Sequence, residues 1–383
     1  MPPTTVIHRA LLVSTVLLAA CSQTGSQAAI PANAGLKDVF KDAFRVGTAL
    51  NPRQFNGTDT LGVALIDKHF NITTPENVLK WEVVHPGRTN YNFVQSDAYV
   101  AFGEKHKMFI TGHTLVWHSQ TPRWVFEDSA GKPLTRDALL GQMKRHIDTV
   151  VGRYKGRING WDVVNEALNE DGSLRQSPWQ KIIGDDFIVR AFQFAHDADP
   201  AAELYYNDYN LATPAKRDGA IRVARQIQAA GITVAAIGSQ DHHKLDVPSA
   251  ALVDSMFMAF RAAGFHGNIT ELDIDVLPRA TNNNTADVSL RAAAQARVNP
   301  YTAGVPDSVQ AQLTKRYADF FTVYWKHRDI IDRITFWGVR DGDSWLNGWP
   351  VPGRTNYPLL FDRSGAPKPA YDAVVAVAGR SSR

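Results

Sequence analysis

The chain has 383 residues, 41 basic against 38 acidic, a formal net charge of +3 and a single cysteine. One cysteine excludes an intramolecular disulfide framework and a metal site built from several thiolates, and so balanced a charge argues against nucleic acid as the main partner. At 44% hydrophobic and 21% charged residues the composition is that of a globular protein, long enough for one large domain or two ordinary ones.

The first element in chain order is the apolar run Ala10–Ala20, which follows His8 and Arg9 and ends in small residues. It falls well short of the about 20 residues that a membrane span needs. Residues 1–20 therefore read as a signal peptide. Cys21 follows Leu18-Ala19-Ala20 directly. This L-A-A-C string resembles the bacterial lipobox, in which the signal is cut before a cysteine that then carries acyl chains. The resemblance implies an exported lipoprotein with its lipid anchor at Cys21. Ser22, where an aspartate would favour the inner membrane, leans towards the outer membrane. A plain secretory signal with an incidental cysteine is the competing reading. The small polar residues 22–35 read as a flexible tether, ~20 Å long root-mean-square.

From residue 36 the sequence alternates. β-Favouring segments are expected at Phe44–Ala49, His69–Ile72, Phe109–Thr114, Gly160–Val164, Glu203–Asn207, Ala235–Ser239, Asn268–Ile274 and Ile334–Val339. Amphipathic helical stretches lie between them, among them Leu139–Tyr154, Phe187–Ala198, Pro214–Ala230 and Ser308–His327. Mostly apolar strands alternating with helices predict a parallel sheet covered on both faces. Such units over residues 36–379 fit one (β/α)8 TIM barrel domain of the α/β class; a doubly wound sheet satisfies the same alternation. The unusual polar residues favour the barrel. His113, Asn165, Glu166, Asn207, Asp208, Gln240, His242 and Asp341 all fall at or just beyond the C-terminal ends of strands. That is the end at which barrel enzymes gather their chemistry.

Two glutamates stand in apolar strand context, Glu166 in WDVVNEA and Glu271 in ITELDI. A buried carboxylate is costly unless it is paired or has a chemical role. A pair of carboxyls at one face suits glycoside hydrolysis, in which one donates a proton to the leaving oxygen and the other attacks or activates water. Structural ion pairing is the plainer alternative for either glutamate alone.

WDVVNEA and ITELDI together resemble the acid/base and nucleophile signatures of glycoside hydrolase family 10, the endo-β-1,4-xylanases. TPENVLKW (74–81), GHTLVWHSQTP (112–122), YYNDYN (205–210), IGSQDHH (237–243), TFWGVRDGDSWL (335–346) and PLLFDRSGAPKPAY (358–371) follow in the family's order. The resemblance implies a retaining mechanism on xylan and xylo-oligosaccharides, with Glu166 as acid/base and Glu271 as nucleophile, their carboxyls about 5–5.5 Å apart. It implies that Asn165 binds the 2-hydroxyl beside the cleaved bond, that His242 orients Glu271, and that Gln240 sits beside Glu166. Glu76, Asn77, Lys80 and His113 resemble the polar clamp for the non-reducing sugars, and Trp117, Trp337 and Trp345 the aromatic walls. No cofactor and no metal is implied, and the family is usually monomeric. Leu79 departs from a common methionine. Two long stretches, Arg279–Gly304 and Asn347–Asn356, are positioned to reshape the cleft.

Three other readings compete. A metal hydrolase is disfavoured because His113 and His118 are five apart and His242 and His243 are adjacent. A non-catalytic glycan-capture lipoprotein would not need both glutamates. A barrel cutting β-1,4-glucan or mannan differs only in how tightly the walls exclude a hydroxymethyl group.

Overall fold

The computed structural model describes residues 33–278, 298–350 and 353–380, together with Pro3. Cys21, the apolar run before it and most of the tether lie outside the described residues, as does 279–297, the larger part of one long stretch.

Among the described residues nine strands form the sheet: β1 (Arg45–Leu50), β2 (Ile72–Pro75), β3 (Phe109–Trp117), β4 (Gly160–Asn165), β5 (Glu203–Asp208), β6 (Ala236–Ser239), β7 (His242–Lys244), β8 (Gly267–Asp275) and β9 (Arg333–Phe336). The order is β6-β5-β4-β3-β2-β1-β9-β8, and β8 pairs back onto β6, so the sheet closes. β6 and β7 both run parallel to β8, with Ser239 opposite Ile269 and His242 opposite Asp273. They are two halves of one stave, broken at Gln240-Asp241. The ring is thus an eight-stave parallel barrel, and its closure excludes the doubly wound sheet.

The eight expected strands form, but the second is displaced, the last ends at Phe336 rather than Val339, and the short β7 is additional. The second lies at Ile72–Pro75 rather than His69–Ile72, because a helix over Thr60–His69 runs to the histidine. Asp59 caps that helix, accepting from the Gly62 N–H. His69 packs its ring against Phe361 and Tyr371. The β-favouring string therefore straddles a helix end. Polar caps set the starts of outer helices: Thr135 accepts from Ala138 N–H at the start of Arg136–Arg153, and Ser249 from Leu252 N–H at the start of Ala250–Ala263. Where β3 meets β4, close packing dictates glycine at 112, since a Cβ there would lie 2.1 Å from the Trp161 ring.

Three staves carry an extra residue. The register shifts between His113 and Val116 in β3, between Asp162 and Val164 in β4, and between Ile269 and Leu272 in β8. A bulge re-aims the side chains next to it. All three fall beside or among the polar residues singled out above, and the one in β8 contains Glu271.

A polar column fills the barrel beneath these bulges. Arg333, at the start of β9, donates to Thr111 Oγ1 at 2.6 Å and approaches Asp162 at 3.4 Å. Its guanidinium lies over the Tyr205 ring, 4.4 Å from the centroid. Asp162 in turn holds His113 Nδ1 at 2.9 Å. All are buried, so the charges are paired within the column.

Candidate active site

The residues expected at the strand ends converge on one cleft. Glu166 sits just past β4 with φ of +57°. A non-glycine residue in the left-handed region costs of order 1–2 kcal/mol. Its N–H is tied to the Asn207 carbonyl at 2.8 Å, which holds the turn. Gln120, Asn210 and Asp241 are also left-handed, all on loops following strands. The backbone is bent away from its preferred regions mainly around this face.

Three neutral donors serve the Glu166 carboxyl. Trp117 Nε1 donates to Oε2 at 2.9 Å, and Gln240 Nε2 to Oε1 at 3.0 Å. Asn165 Nδ2 is a longer donor to Oε1, at 3.4 Å. Glu166 is half-buried, whereas Glu271 is buried.

Glu271 has different company. Its Oε2 lies 3.1 Å from His242 Nε2, and its Oε1 accepts from Asn207 Nδ2 at 2.9 Å. His242 Nδ1 is held by Asp273 at 3.0 Å, and Asp273 also accepts from Trp345 Nε1 at 2.8 Å. Burial alone would strip the charge from His242. The Asp273 charge and hydrogen bond, then those of Glu271, outweigh it and push the imidazole up to about 10. His242 is therefore an imidazolium at neutral pH. Burial also works to raise Glu271, but the His242 hydrogen bond and the charges of His113 and His242 hold its carboxyl below the usual range.

A lattice of amides joins the two carboxyls. Asn207 donates to Asn165 Oδ1 at 3.0 Å as well as to Glu271, and accepts from Thr270 Oγ1 at 2.7 Å. Gln240 donates to Asn165 Oδ1 at 3.2 Å as well as to Glu166. Each amide spans two neighbours, so moving one carboxyl disturbs the other.

At the second wall, Lys80 Nζ donates to Asn77 Oδ1 at 2.9 Å and to Gln120 Oε1 at 2.8 Å, and lies 5.1 Å from the Trp117 ring centroid. Asn77 and Lys80 lie on a turn, not a helix, and bond to each other. Desolvation pulls Lys80 down from the ordinary lysine range, opposed by Glu271, Glu76, Glu166 and Glu82. Glu76 is raised, chiefly by burial. Trp337 is mostly buried, with its ring edge-on to His113 and His242, so it closes the floor more than it walls the cleft.

All twelve expected site residues thus belong to one face. Three partners were missed. Asn207 was legible as a polar residue ending β5. Asp273 was legible as the residue two beyond Glu271, hence on the same face of β8. Gln120 carried no sequence signal, since only a left-handed turn brings it to Lys80. Asp241 and His243 lie on the other side of the broken stave, where Asp241 accepts from Tyr324 at 2.7 Å. No cluster of three or more metal-ligating side chains occurs among the described residues.

A closed parallel barrel with two buried or half-buried glutamates in separate donor shells at its C-terminal face defines a barrel glycosidase. Comparison narrows the class. The family model for glycosyl hydrolase family 10 matches residues 35–377, and the chain belongs to that family. It is 46% identical over 340 residues to endo-1,4-beta-xylanase A of Xylanibacter ruminicola, covering 89% of this chain and 92% of that one. Among solved structures, it resembles a family 10 endoxylanase retrieved from a sugarcane soil metagenome, at TM-score 0.83 and 45% identity, over 90% of this chain and 99% of that one. It also resembles a mutant solved in complex with xylotriose, at TM-score 0.79 and 33% identity, over 89% of this chain and 99% of that one.

Proposed function

We propose that the chain is an endo-1,4-β-xylanase that cleaves internal xylosidic bonds of xylan with retention, by double displacement. The observation that carries the assignment of roles is the asymmetry of the two carboxyls. Glu271 is held by an imidazolium, which keeps it ionised and aimed as a nucleophile. Among the described residues Glu166 is held by neutral indole and amide donors, and it is the more open of the two to water. Environments that separate two carboxyls in this way assign acid and nucleophile.

In the first step Glu166 gives its proton to the glycosidic oxygen. Glu271 attacks the anomeric carbon, the bond to the leaving sugar breaks, and an ester to Glu271 forms. In the second, Glu166 takes a proton from water, the water oxygen bonds to the anomeric carbon, and the ester breaks to restore Glu271. Asn165 is placed between the two carboxyls by Asn207 and Gln240, which suits a hydrogen bond to the 2-hydroxyl that strengthens in the transition state. Asn77, Lys80, Glu76 and His113 would read hydroxyls on the non-reducing side, and the Trp117 and Trp345 rings would stack on sugar faces.

The similarity to relatives named as xylanases supports xylan as the substrate. The decisive experiment pairs initial rates on xylan and on a soluble cellulose with proton NMR of the first product. Faster cleavage of xylan and initial release of the β-anomer are expected. Faster cleavage of the cellulose would sink the substrate, and initial α-anomer the mechanism.

We also propose that Cys21 is acylated and holds the barrel to a bacterial membrane, with the outer membrane favoured by Ser22; the L-A-A-C string supports this.

A further inference from the structure

Asp241 is buried at the break in the barrel wall, and its carboxylate has no part in the chemistry above. A buried carboxylate is a poor source of stability, because its desolvation offsets most of the attraction to its partners. Asp241 nevertheless gathers three of them. Its Oδ1 accepts from Ser239 Oγ, its Oδ2 accepts from the Tyr324 hydroxyl at 2.7 Å, and His243 Nε2 lies 3.2 Å from the same oxygen. Burial works to raise this carboxyl, but His243 and the hydrogen bonds of Ser239 and Tyr324 hold it below the usual range.

In an unbroken strand residues 240 and 242 would point the same way. Asp241 is left-handed instead, with φ of +55°, and the side chains on either side of it part company. Gln240 reaches Glu166, and His242 reaches Glu271. Gln240 is fixed by its backbone on both sides, its N–H donating to the Asp208 carbonyl at 3.0 Å and its carbonyl accepting from Glu271 N–H at 3.0 Å.

His242 is less secure. Among the described residues β7 pairs with β8 alone, whereas β6 has both β5 and β8 beside it. β7 also lines a cavity of about 650 Å³, across from Asn210–Thr213. Its further support comes from the helix over Asp307–Lys326. There Tyr324, itself buried, holds Asp241, and Arg316 Nε donates to the Lys244 carbonyl at 3.2 Å. Phe320 of the same helix packs on the His243 ring, centroids 4.3 Å apart.

We propose that Asp241 is a positioning residue for both catalytic carboxyls: pinned by Ser239, Tyr324 and His243, it fixes the left-handed turn that aims Gln240 at Glu166 and His242 at Glu271. It acts through these two neighbours and not on the substrate. One buried side chain thereby sets the donor shells of acid and nucleophile together. This rests on the roles given to Glu166 and Glu271 above.

The test compares wild type, Asp241→Gly, Asp241→Asn and Tyr324→Phe, by kcat and KM on linear xylohexaose and by NMR titration of the His242 ring. Glycine accepts the left-handed turn but removes the pin. Asp241→Gly should lower kcat about ten- to hundredfold, the scale of a misplacement of about 1 Å, while KM changes less than about threefold because Glu76, Asn77, Lys80 and His113 keep their places. It should also bring the His242 midpoint down from about 10 to about 9 or lower, as the contacts to Glu271 and Asp273 loosen. Asp241→Asn tolerates the turn and keeps an acceptor for the Tyr324 hydroxyl, so it should recover most of the kcat. Tyr324→Phe leaves the cleft untouched and removes one hydrogen bond; it should lower kcat about three- to tenfold in the same pattern. A fall in melting temperature with kcat and the His242 midpoint unchanged would overturn the proposal in favour of a purely structural carboxylate. A raised KM with unchanged kcat, or Asp241→Asn no better than Asp241→Gly, would overturn it too. Wild type inactive on xylohexaose would instead sink the xylanase reading, and the His242 midpoints of the variants would then decide the pin by themselves.

Discussion

Asp273→Asn removes one charge from the cluster behind the nucleophile with little change of shape. Asp273 Oδ1 stands 3.0 Å from His242 Nδ1. At an effective dielectric of about 20, a charge pair at that distance interacts by about 5.5 kcal/mol, or about four pK units. The lift of His242 from 6.5 to about 10 is of the same size. Without the Asp273 charge the imidazole should titrate between about 6 and 8, Glu271 alone supporting its cation. The sign for stability follows. A raised folded value means that the contribution of His242 is complete below about 6.5 and is lost as pH rises through about 10. It amounts to at most about 5 kcal/mol, and less in practice because a side chain 21% exposed is partly screened by water. In the variant most of that contribution is absent. Titration of the His242 ring by NMR measures the midpoint directly. Rates on an activated aryl xylobioside, which needs no proton from Glu166, report on Glu271. At pH 8 the variant should lose about tenfold or more in kcat/KM relative to its own value at pH 5.5, because the charged hydrogen bond that aims the ionised Glu271 is gone. A midpoint above 9 in the variant, or an unchanged pH profile, would refute the chain of interactions from Asp273 through His242 to Glu271.

Glu166→Ala should depress cleavage of xylan, a poor leaving group, by about 10²- to 10⁴-fold while sparing glycosylation by activated aryl glycosides; equal losses on both would contradict its role as acid. Gly112→Ala should destabilise the barrel by about 3 kcal/mol, since the new Cβ would fall 2.1 Å from the Trp161 ring, and thermal melting should fall by several degrees; an unchanged melting temperature would show that the β3–β4 interface relaxes freely. Cys21→Ala should move the protein from the membrane pellet to the soluble fraction with unchanged specific activity, and continued pelleting would argue against acylation.

Much of this was legible in the sequence for a physical reason. Strands buried on both faces must be apolar, so Glu166, Asn165, Gln240 and Glu271 stood out against their surroundings, and their common place at strand ends indicated one face. Period-2 alternation places Asp273 with Glu271. The helix end at His69 was not legible, because a short β-favouring string fits either state until the Asp59 cap and the packing against Phe361 decide.

The sequence by itself determined the alternation of elements and the two glutamates, which follow from local composition and spacing, and its motif strings carried the resemblance to the family. Only the tertiary structure decided closure of the ring, the bulges that aim Glu271 and His113, the left-handed turn at Glu166, and the donor shells that separate the two carboxyls. Those depend on partners far apart in the chain. Asn207 and Glu271, 64 residues apart, meet at 2.9 Å. Whether a carboxyl faces an imidazolium or an amide is a property of that meeting, and no local pattern carries it.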